Sequence, residues 1–345
     1  MMIKIFKALL CAIVGTSLAS CDSLMESQIK DRLTESQANQ AAMLSSENMQ
    51  VILLGTGGPL SNETRDSSGV AIIAGGEFVM VDVGPGIVKN MNLSGLPAGK
   101  ISALFLTHFH SDHITEMGEL DFMTWAQGRD KKLQVYGPEG VEQVVAGFNT
   151  AYAFDSSYRT AHHTEEWMPS KNSGMVASTL TIPDPEEAVL FFDRNGLKAS
   201  VFQVDHSPVK PAVGYRFEYR GNVVVISGDT VKTETLPKFA RGADLFLCEA
   251  LNKEMVMMIS RVAGELDNPR LSRQMHDVTD YHMSPVDAAE IAQEAGVKKL
   301  ILAHVVPPVE NFIAKRIYLR GTDDAFDGEI ILGQDRARFE LEPKN

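Results

Sequence analysis

The chain has 345 residues, of which 44% are hydrophobic and 22% are charged, a composition that supports one large globular domain or two small ones. Its net charge is −13, and no run rich in lysine and arginine interrupts this acidity. Such a surface repels polyanions. The composition therefore argues against extended nucleic acid, and we expect no nucleic-acid partner.

The first 20 residues have the form of a targeting segment. MMIKIFK carries two lysines, and the apolar stretch ALLCAIVGTSL is too short to span a membrane. It leads to LASC, which resembles the lipobox of bacterial lipoproteins, so residues 1–20 are predicted to be a lipoprotein signal peptide and Cys21 its lipidated residue. Asp22 resembles an inner-membrane retention signal. These features predict a periplasmic location on a membrane, with cleavage of a plain secretory signal near Ser20 as the alternative.

Residues 21–48 are polar with sparse apolar positions, and we interpret them as a partly helical tether. A domain is predicted over residues 49–345, beginning with the strand MQVILLG and a glycine turn. VAIIAGGEFVMVD predicts a hairpin that turns at Gly75 and Gly76. ISALFLTH predicts another strand, and GVEQVVAGFNTAY predicts a helix.

Residues 150–187 show no clear periodicity and are predicted to form an irregular surface insertion. Two further hairpins are predicted after it. VLFFDRNGLKASVFQVDH would turn at Asn195 and Gly196, and AVGYRFEYRGNVVVISGDT would turn near Gly221.

The last part of the chain switches to alternating helix and strand. Ser284, Pro285 and Asp287 are typical of a helix start, and this helix is predicted to end near Gly296 before the strand KKLILAH. Hairpins combined with helical crossovers predict an α+β fold of two packed sheets with helices outside.

Four apolar runs end in a residue that can bind a metal ion. LFLTH ends at His108, VFQVDH at His206, VVVISGD at Asp229 and LILAH at His304. A single histidine after a strand is usually structural, but four such ends can converge on one rim of a sheet, where binding sites are commonly built.

The stretch HFHSDH adds three more potential ligands to His108. In extended chain His108 and His110 point to the same side and can share one metal ion. Asp112 and His113 follow as the chain turns, and they can face a second ion. Imidazole and carboxylate without thiolate favour catalytic Zn²⁺, with Mn²⁺ and Fe²⁺ as alternatives.

His108-Phe-His110-Ser-Asp112-His113 resembles the HxHxDH signature of the metallo-β-lactamase fold, and the leading LLGTGGP and the later motifs occur in the family's order. GYRF, SGDT and HMSPVDAAEIA are similar to the branch that holds ribonuclease Z and the AtsA-type arylsulfatases. The resemblance implies an αββα sandwich of two mixed sheets flanked by helices.

The resemblance also implies a site with two metal ions, which we expect to be two Zn²⁺. His108, His110 and His206 would hold the first ion, Asp112, His113 and His304 the second, and Asp229 would bridge them.

Other residues near these motifs are candidates for roles in catalysis or substrate binding. Asp112 would also orient an attacking hydroxide, and His282 is the candidate acid for the leaving group, with a surface residue beside the helix as the alternative. Arg216 is a candidate for binding an anionic substrate, although a salt bridge on the strand is equally compatible with its position.

The substrate is predicted to be a small anionic ester, either an aryl sulfate or a phosphodiester. The tRNA-gripping arm of bacterial ribonuclease Z lies between the positions matching His206 and Asp229, where this chain has only 22 residues. A tRNA 3′ endonuclease, a lactonase and a non-catalytic binding lipoprotein are the alternatives, and a homodimer is left open.

Overall fold

The computed structural model describes residues 2–182 and 184–344, and it describes side chains from Asp22 onward. The chain divides into two units between Met43 and Leu44. Most of helix α1 (Met2–Ser45) makes up the first unit, and nearly all of its described side chains are exposed. The segment predicted as a partly helical tether is therefore helical almost throughout. The lipidation predicted at Cys21 lies outside the described side chains.

Among the described residues, no helix combines enough length with enough apolar character to cross a membrane.

The described part of the second unit contains two seven-stranded sheets. The first sheet has the order β14-β1-β2-β3-β4-β5-β6, and the second has the order β13-β12-β11-β10-β9-β8-β7. The strands of the first sheet are β1 (Met49–Gly55), β2 (Gly69–Ala74), β3 (Glu77–Val81), β4 (Ile101–Phe105), β5 (Leu133–Gly137), β6 (Met175–Thr179) and β14 (Arg338–Leu341). The strands of the second sheet are β7 (Ala188–Arg194), β8 (Leu197–Gln203), β9 (Val213–Tyr219), β10 (Asn222–Ile226), β11 (Leu245–Leu251), β12 (Lys299–Val306) and β13 (Glu329–Leu332).

Each sheet is mixed, because antiparallel hairpins occupy one half and parallel strands the other. β14 to β3 pair antiparallel, whereas β3 to β6 pair parallel. In the second sheet β7 to β10 pair antiparallel and β10 to β13 pair parallel. The three predicted hairpins are confirmed as β2–β3, β7–β8 and β9–β10.

Helices cover the outer faces of both sheets. α2 and α5 contact the first sheet, and α9 contacts β11 and β12 of the second. The helices of the second unit are α2 (Ile87–Leu93), α3 (Ser111–Ile114), α4 (Met117–Ala126), α5 (Val141–Trp167), α6 (Leu236–Ala240), α7 (Lys253–Glu265), α8 (Pro269–Asp277), α9 (Pro285–Ala295), α10 (Phe312–Tyr318) and α11 (Thr322–Ala325). This architecture confirms the predicted α+β sandwich of two mixed sheets.

The main core lies between the sheets and is built from the inward faces of their strands. Phe105 of β4 is fully buried there. Its ring lies 5.9 Å from that of Phe217 in β9 and 5.4 Å from that of Phe192 in β7. Burial of each such ring stabilises the fold by roughly 1.5–3 kcal/mol, and aromatic contacts across the layers lock the two sheets together.

The register of the second sheet brings three chain segments to one edge. β10, β11 and β12 are parallel, with Ile226 paired to Leu247 and Leu247 paired to Ile301. The carboxyl ends of these strands therefore meet on one side of the sheet. Gly57 of the turn after β1 bridges to Val305 of β12 and adds the first sheet to this edge.

The predicted irregular insertion at residues 150–187 is more regular than expected. Helix α5 continues to Trp167 with a kink at Thr164, and β6 extends the first sheet beyond it. The sequence pattern missed the helix because Phe154, Tyr158 and Trp167 are all exposed, which removes the apolar stripe that identifies an amphipathic helix.

Candidate metal centre

All seven residues predicted as metal ligands lie in one cluster at the edge where the strand ends meet, and all are buried except His110, which is half-buried. Within each of two groups, the potential ligand atoms lie within 4.8 Å of one another. The groups are His108, His110, His206 and Asp229, and Asp112, His113 and His304. The Asp229 Oδ2 atom lies 3.5 Å from His113 Nε2 and 3.3 Å from His304 Nε2, between the two groups.

The HFHSDH stretch serves both groups because its backbone changes conformation midway. His110 is extended, with φ −62° and ψ 150°, and it is the N-cap of the short helix α3. Asp112 and His113 lie within the helical turn, so they leave the line of His108 and His110. The local structure thus divides this short motif between the two groups.

Hydrogen bonds outside the cluster orient the imidazoles. The carbonyl oxygen of Tyr281 can only accept, so His206 Nδ1 donates to it at 2.9 Å. His113 Nδ1 likewise donates to Asp82 Oδ2 at 2.8 Å. In each ring this leaves the lone pair on Nε2, which faces the cluster, an arrangement typical of metal-binding histidines.

Some buried nitrogen atoms of the cluster lack a hydrogen-bond partner, and a metal ion would supply one for each of them. The buried Nε2 atoms of His108 and His113 have no hydrogen-bond partner among the described residues. Buried polar atoms are normally paired, and neutral imidazole nitrogens are strong ligands for divalent transition metals. The residues present therefore fit a bound cation.

The carboxylates dominate the electrostatics of the cluster. Burial alone would lower the pKa of His304, but Asp229 and Asp112 raise it to about 9. Burial would raise the pKa of Asp229, yet His304 and His113 hold it well below its ordinary value. His206 has the opposite balance, because burial outweighs Asp229 and lowers its pKa to about 4. The negative charge of Asp112 and Asp229 favours protonation of the histidines, and it would favour a bound metal cation for the same reason.

His282 lies beside the cluster and not on the surface. Its side chain is buried, and its ring centre is 5.1 Å from that of His206 and 5.5 Å from that of His304. Its Nδ1 atom lies 2.9 Å from Glu249 Oε1, which leaves Nε2 as the other proton-bearing position. This placement is compatible with proton transfer at the site.

Three residues that orient the site were not identified from the sequence. They are Asp82, Glu249 and Tyr281. Asp82 directly follows β3, much as His206 and Asp229 follow β8 and β10, so the same pattern could have found it. Glu249 lies inside β11 and accepts from the backbone of Thr230 at 3.1 Å, which no local pattern indicates.

The crowding around Gly58 explains why the turn after β1 contains a glycine at this position. A Cβ atom at this position would lie 2.7 Å from Val306 Cγ2 and 3.1 Å from His304 Cε1. Any larger residue would therefore displace the His304 ring. His304 itself has a φ of 50°, where β12 deviates from regular pairing, a strained conformation of the kind that clusters at functional sites.

The structure does not bring Arg216 to the cluster. Its guanidinium contacts Glu218 at 2.9 Å and donates to the carbonyl oxygen of Phe239 at 2.9 Å. This is the salt bridge on the strand that the sequence left open as the alternative.

Comparison with known proteins identifies relatives over most of the chain. The Beta-lactamase superfamily domain matches residues 78–305. The chain is 33% identical over 302 residues to "Ribonuclease Z" of Mycobacterium sp. (strain KMS), covering 86% of this chain and 97% of that protein.

Two solved structures share the fold. The metallo-beta-lactamase fold protein YhfI from Bacillus subtilis has a TM-score of 0.58 at 20% identity, covering 85% of this chain and 99% of that one. Human tRNase Z, short form, also has a TM-score of 0.58, at 22% identity and the same coverage.

The prediction that nucleic acid is not a partner is wrong. Relatives that match 86% of the chain are ribonucleases by name. The prediction rested on the short segment between His206 and Asp229 and on the net charge of −13, which averages over the whole surface. The potential near a site depends on the local arrangement of charges, so a total charge does not exclude a polyanionic substrate.

The predicted periplasmic location on a membrane is also wrong. It rested on residues 1–22 alone, whereas relatives matching 86% of the chain are ribonucleases Z.

These relatives favour the ribonuclease Z alternative over the arylsulfatase that the sequence analysis placed first. They support a hydrolase of the metallo-β-lactamase fold with a histidine and aspartate cluster suited to metal, and they give no support to an arylsulfatase. The chain belongs to the metallo-β-lactamase superfamily and, within it, to the ribonuclease Z family.

Proposed function

We propose that this protein hydrolyses phosphodiester bonds in RNA, in the manner of ribonuclease Z, with two Zn²⁺ ions held by the seven-residue cluster. The observation that carries the proposal is a complete donor set in a chain that aligns with 97% of a curated ribonuclease Z. A cluster that had lost a ligand would instead favour a binding role.

The ligands are proposed as the sequence resemblance assigns them, with Asp229 between the two groups. When bound, two divalent ions supply an activated water and neutralise charge on the phosphate oxygens. Asp112 Oδ2 lies 3.2 Å from His304 Nε2, and its other oxygen is proposed to orient the attacking water. The positions of the ligands are fixed, because the ligands come from loops that are anchored to sheet strands.

His282 is proposed to donate the proton that the leaving oxygen needs. Glu249 holds its ring through Nδ1 and also accepts from the backbone of Thr230 and Met283, at 3.1 and 3.3 Å. Proton transfer by a positioned side chain typically contributes about 100-fold to 10,000-fold in rate. Replacement of His282 should therefore lower kcat by that range and leave the metal content unchanged.

The test compares four substrates with the Zn²⁺-loaded protein: a precursor tRNA with a 3′ extension, an aryl phosphodiester, an aryl sulfate and a lactone. We expect cleavage of the RNA at its 3′ side and turnover of the phosphodiester. Asp229→Ala should lose bound zinc and all activity. His276→Ala is the matched histidine control, because His276 is exposed on α8 and should leave every rate unchanged.

Turnover of the sulfate or lactone with no cleavage of either phosphodiester substrate would contradict the proposal. So would full activity in Asp229→Ala. Zinc bound at two equivalents per chain without any turnover would instead favour the non-catalytic alternative.

A further inference from the structure

Helix α10 presents large apolar side chains to solvent. Phe312 is 77% exposed and Ile313 is 70% exposed, although many side chains of this size are buried. Both lie in the first turn of the helix, which Asn311 caps by accepting from the backbone N–H of Ala314 at 2.9 Å. The exposed pair is thus displayed by an ordered turn.

The helix lies at the edge of the sheet that carries the metal centre. The Tyr318 hydroxyl donates to the carbonyl oxygen of Ala250, and Asn252 Nδ2 donates to the carbonyl oxygen of Tyr318 at 3.2 Å. Ala250 directly follows Glu249, the partner of His282. Phe312 also comes eight residues after His304, so chain length alone keeps the two within about 28 Å.

Two cations follow Phe312 on the same side of the helix. Lys315 and Arg316 are three and four residues after it, the spacing that places side chains next to one another on a helix. Both are exposed, and neither forms an ion pair with a described residue. Both cations lie in the last turn of α10, one turn after Phe312. The next cation, Arg320, lies beyond the helix and 3.3 Å from Glu254, so among the described residues it is paired and Lys315 and Arg316 are not.

We propose that this α10 face, formed by Phe312, Ile313, Lys315 and Arg316, binds unpaired nucleotides of the RNA substrate at the sheet edge that carries the metal centre. The inference rests on the proposed function and adds a binding surface to it. A base would stack on Phe312 while Lys315 and Arg316 contact the flanking phosphates, the combination by which proteins hold single-stranded nucleic acid.

Charge favours RNA over a second copy of the chain as the occupant. In a symmetric contact the α10 face would meet itself and bring the cations of two copies together. A polyanion instead meets two unpaired positive charges in a chain of net charge −13.

The test measures KM and kcat for the 3′-extended precursor tRNA and for an aryl phosphodiester. Phe312→Ala should raise KM for the RNA about tenfold, because stacking on one aromatic ring contributes on that scale. Phe312→Tyr, which keeps the ring, should retain wild-type KM. Phe154→Ala is the matched control, because Phe154 is 74% exposed but lies on α5. Hydrolysis of the aryl phosphodiester should be unchanged in all three variants.

A second variant tests the cations. Lys315→Gln combined with Arg316→Gln should lower the slope of log affinity for the RNA against log salt by about 1.4, because each phosphate contact on a single strand contributes about 0.7. Sedimentation of each variant checks the assembly state.

The outcomes separate this inference from the proposed function. If the wild type turns over the aryl phosphodiester but neither binds nor cleaves RNA, the proposed function fails and the inference fails with it. If the wild type cleaves RNA and Phe312→Ala has the same KM, only the α10 face is overturned. A dimer that dissociates in Phe312→Ala would also overturn it, in favour of a contact between copies.

Discussion

Asp82 connects three parts of the candidate metal centre through a single buried carboxylate. It accepts from the backbone and the hydroxyl of Thr107, at 2.9 and 2.8 Å, and from His113 at 2.8 Å. Thr107 Oγ1 in turn lies 3.0 Å from His108 Nδ1. One residue outside the proposed ligands thereby orients one ligand from each group.

Replacing Asp82 should weaken metal binding without removing a ligand. In Asp82→Asn we expect the affinity for Zn²⁺ to fall about 10-fold to 100-fold, the usual effect of losing a partner that orients a metal-binding histidine. Competition with a chelator measures it. Asp244→Asn is the matched control, because Asp244 is also buried but pairs with Lys298 and Lys344. Equal affinities in the two variants would show that Asp82 has no such role.

The pKa of His304 predicts how the metal-free protein responds to alkaline pH. Its folded pKa of about 9 lies above the ordinary value of 6.5, so the proton favours folding below pH 6.5 and this contribution is lost as pH rises towards 9. We expect the free energy of unfolding of the zinc-free protein, from urea titrations, to fall between pH 6.5 and 9. The decline should be smaller in His304→Asn. A rise over this range in the zinc-free wild type would contradict the assignment.

At the scale of elements, the start of α9 positions the proposed acid. Ser284 Oγ accepts from the Asp287 N–H at 3.1 Å, and Asp287 Oδ2 accepts from the Ser284 N–H at 2.8 Å, which together form a capping box. His282 lies two residues before this cap. The hydrogen bonds that begin the helix therefore also limit the movement of the chain at His282.

Removal of this cap should affect stability and catalysis together. Ser284→Ala should lower the free energy of unfolding by about 1 kcal/mol, the typical cost of losing a serine cap. It should also lower kcat towards RNA, because His282 is held less firmly. Ser284→Thr keeps the hydroxyl and should preserve both properties. Urea denaturation and steady-state kinetics measure them, and wild-type stability in Ser284→Ala would disprove the proposed role of the cap.

At the scale of the whole molecule, the second unit contains both the cores and the site. Every residue of the described hydrophobic clusters lies between Met49 and Leu341. The seven cluster residues lie within the same range. The unit should therefore fold and act without helix α1.

Truncation tests this independence. Residues 44–345 should unfold with the same midpoint temperature as the full chain, because no described core residue is removed, and should show the same kcat towards RNA. Thermal unfolding followed by circular dichroism and kinetics on both proteins provide the comparison. A midpoint lowered by many degrees would mean that residues 1–43 contribute to the stability of the second unit.

Several features of this protein were readable from the chain alone because they depend on local physics. The hairpin turns at Gly75-Gly76, Asn195-Gly196 and Gly221 need residues that adopt positive φ, and all of these residues do so. Four potential ligands, His108, His206, Asp229 and His304, were readable because each lies at or near the end of an apolar run, and parallel strand ends share an edge. The other three were readable from their spacing after His108 in HFHSDH.

Other features depended on contacts between segments far apart in the sequence. Glu249 and His282 are 33 residues apart, and only the packing of β11 beside the start of α9 shows that they form a pair. The α10 face is exposed because neighbouring elements do not cover it, and no local sequence pattern reveals this. Sequence by itself thus determined the three hairpins, the strands β1, β4 and β12, and the identity of the cluster residues, since these follow from spacing and backbone preference. It did not predict β5, β6, β11, β13 and β14. Tertiary structure alone decided which side chains orient the cluster and which remain exposed, because burial and hydrogen bonding are properties of the assembled sheets.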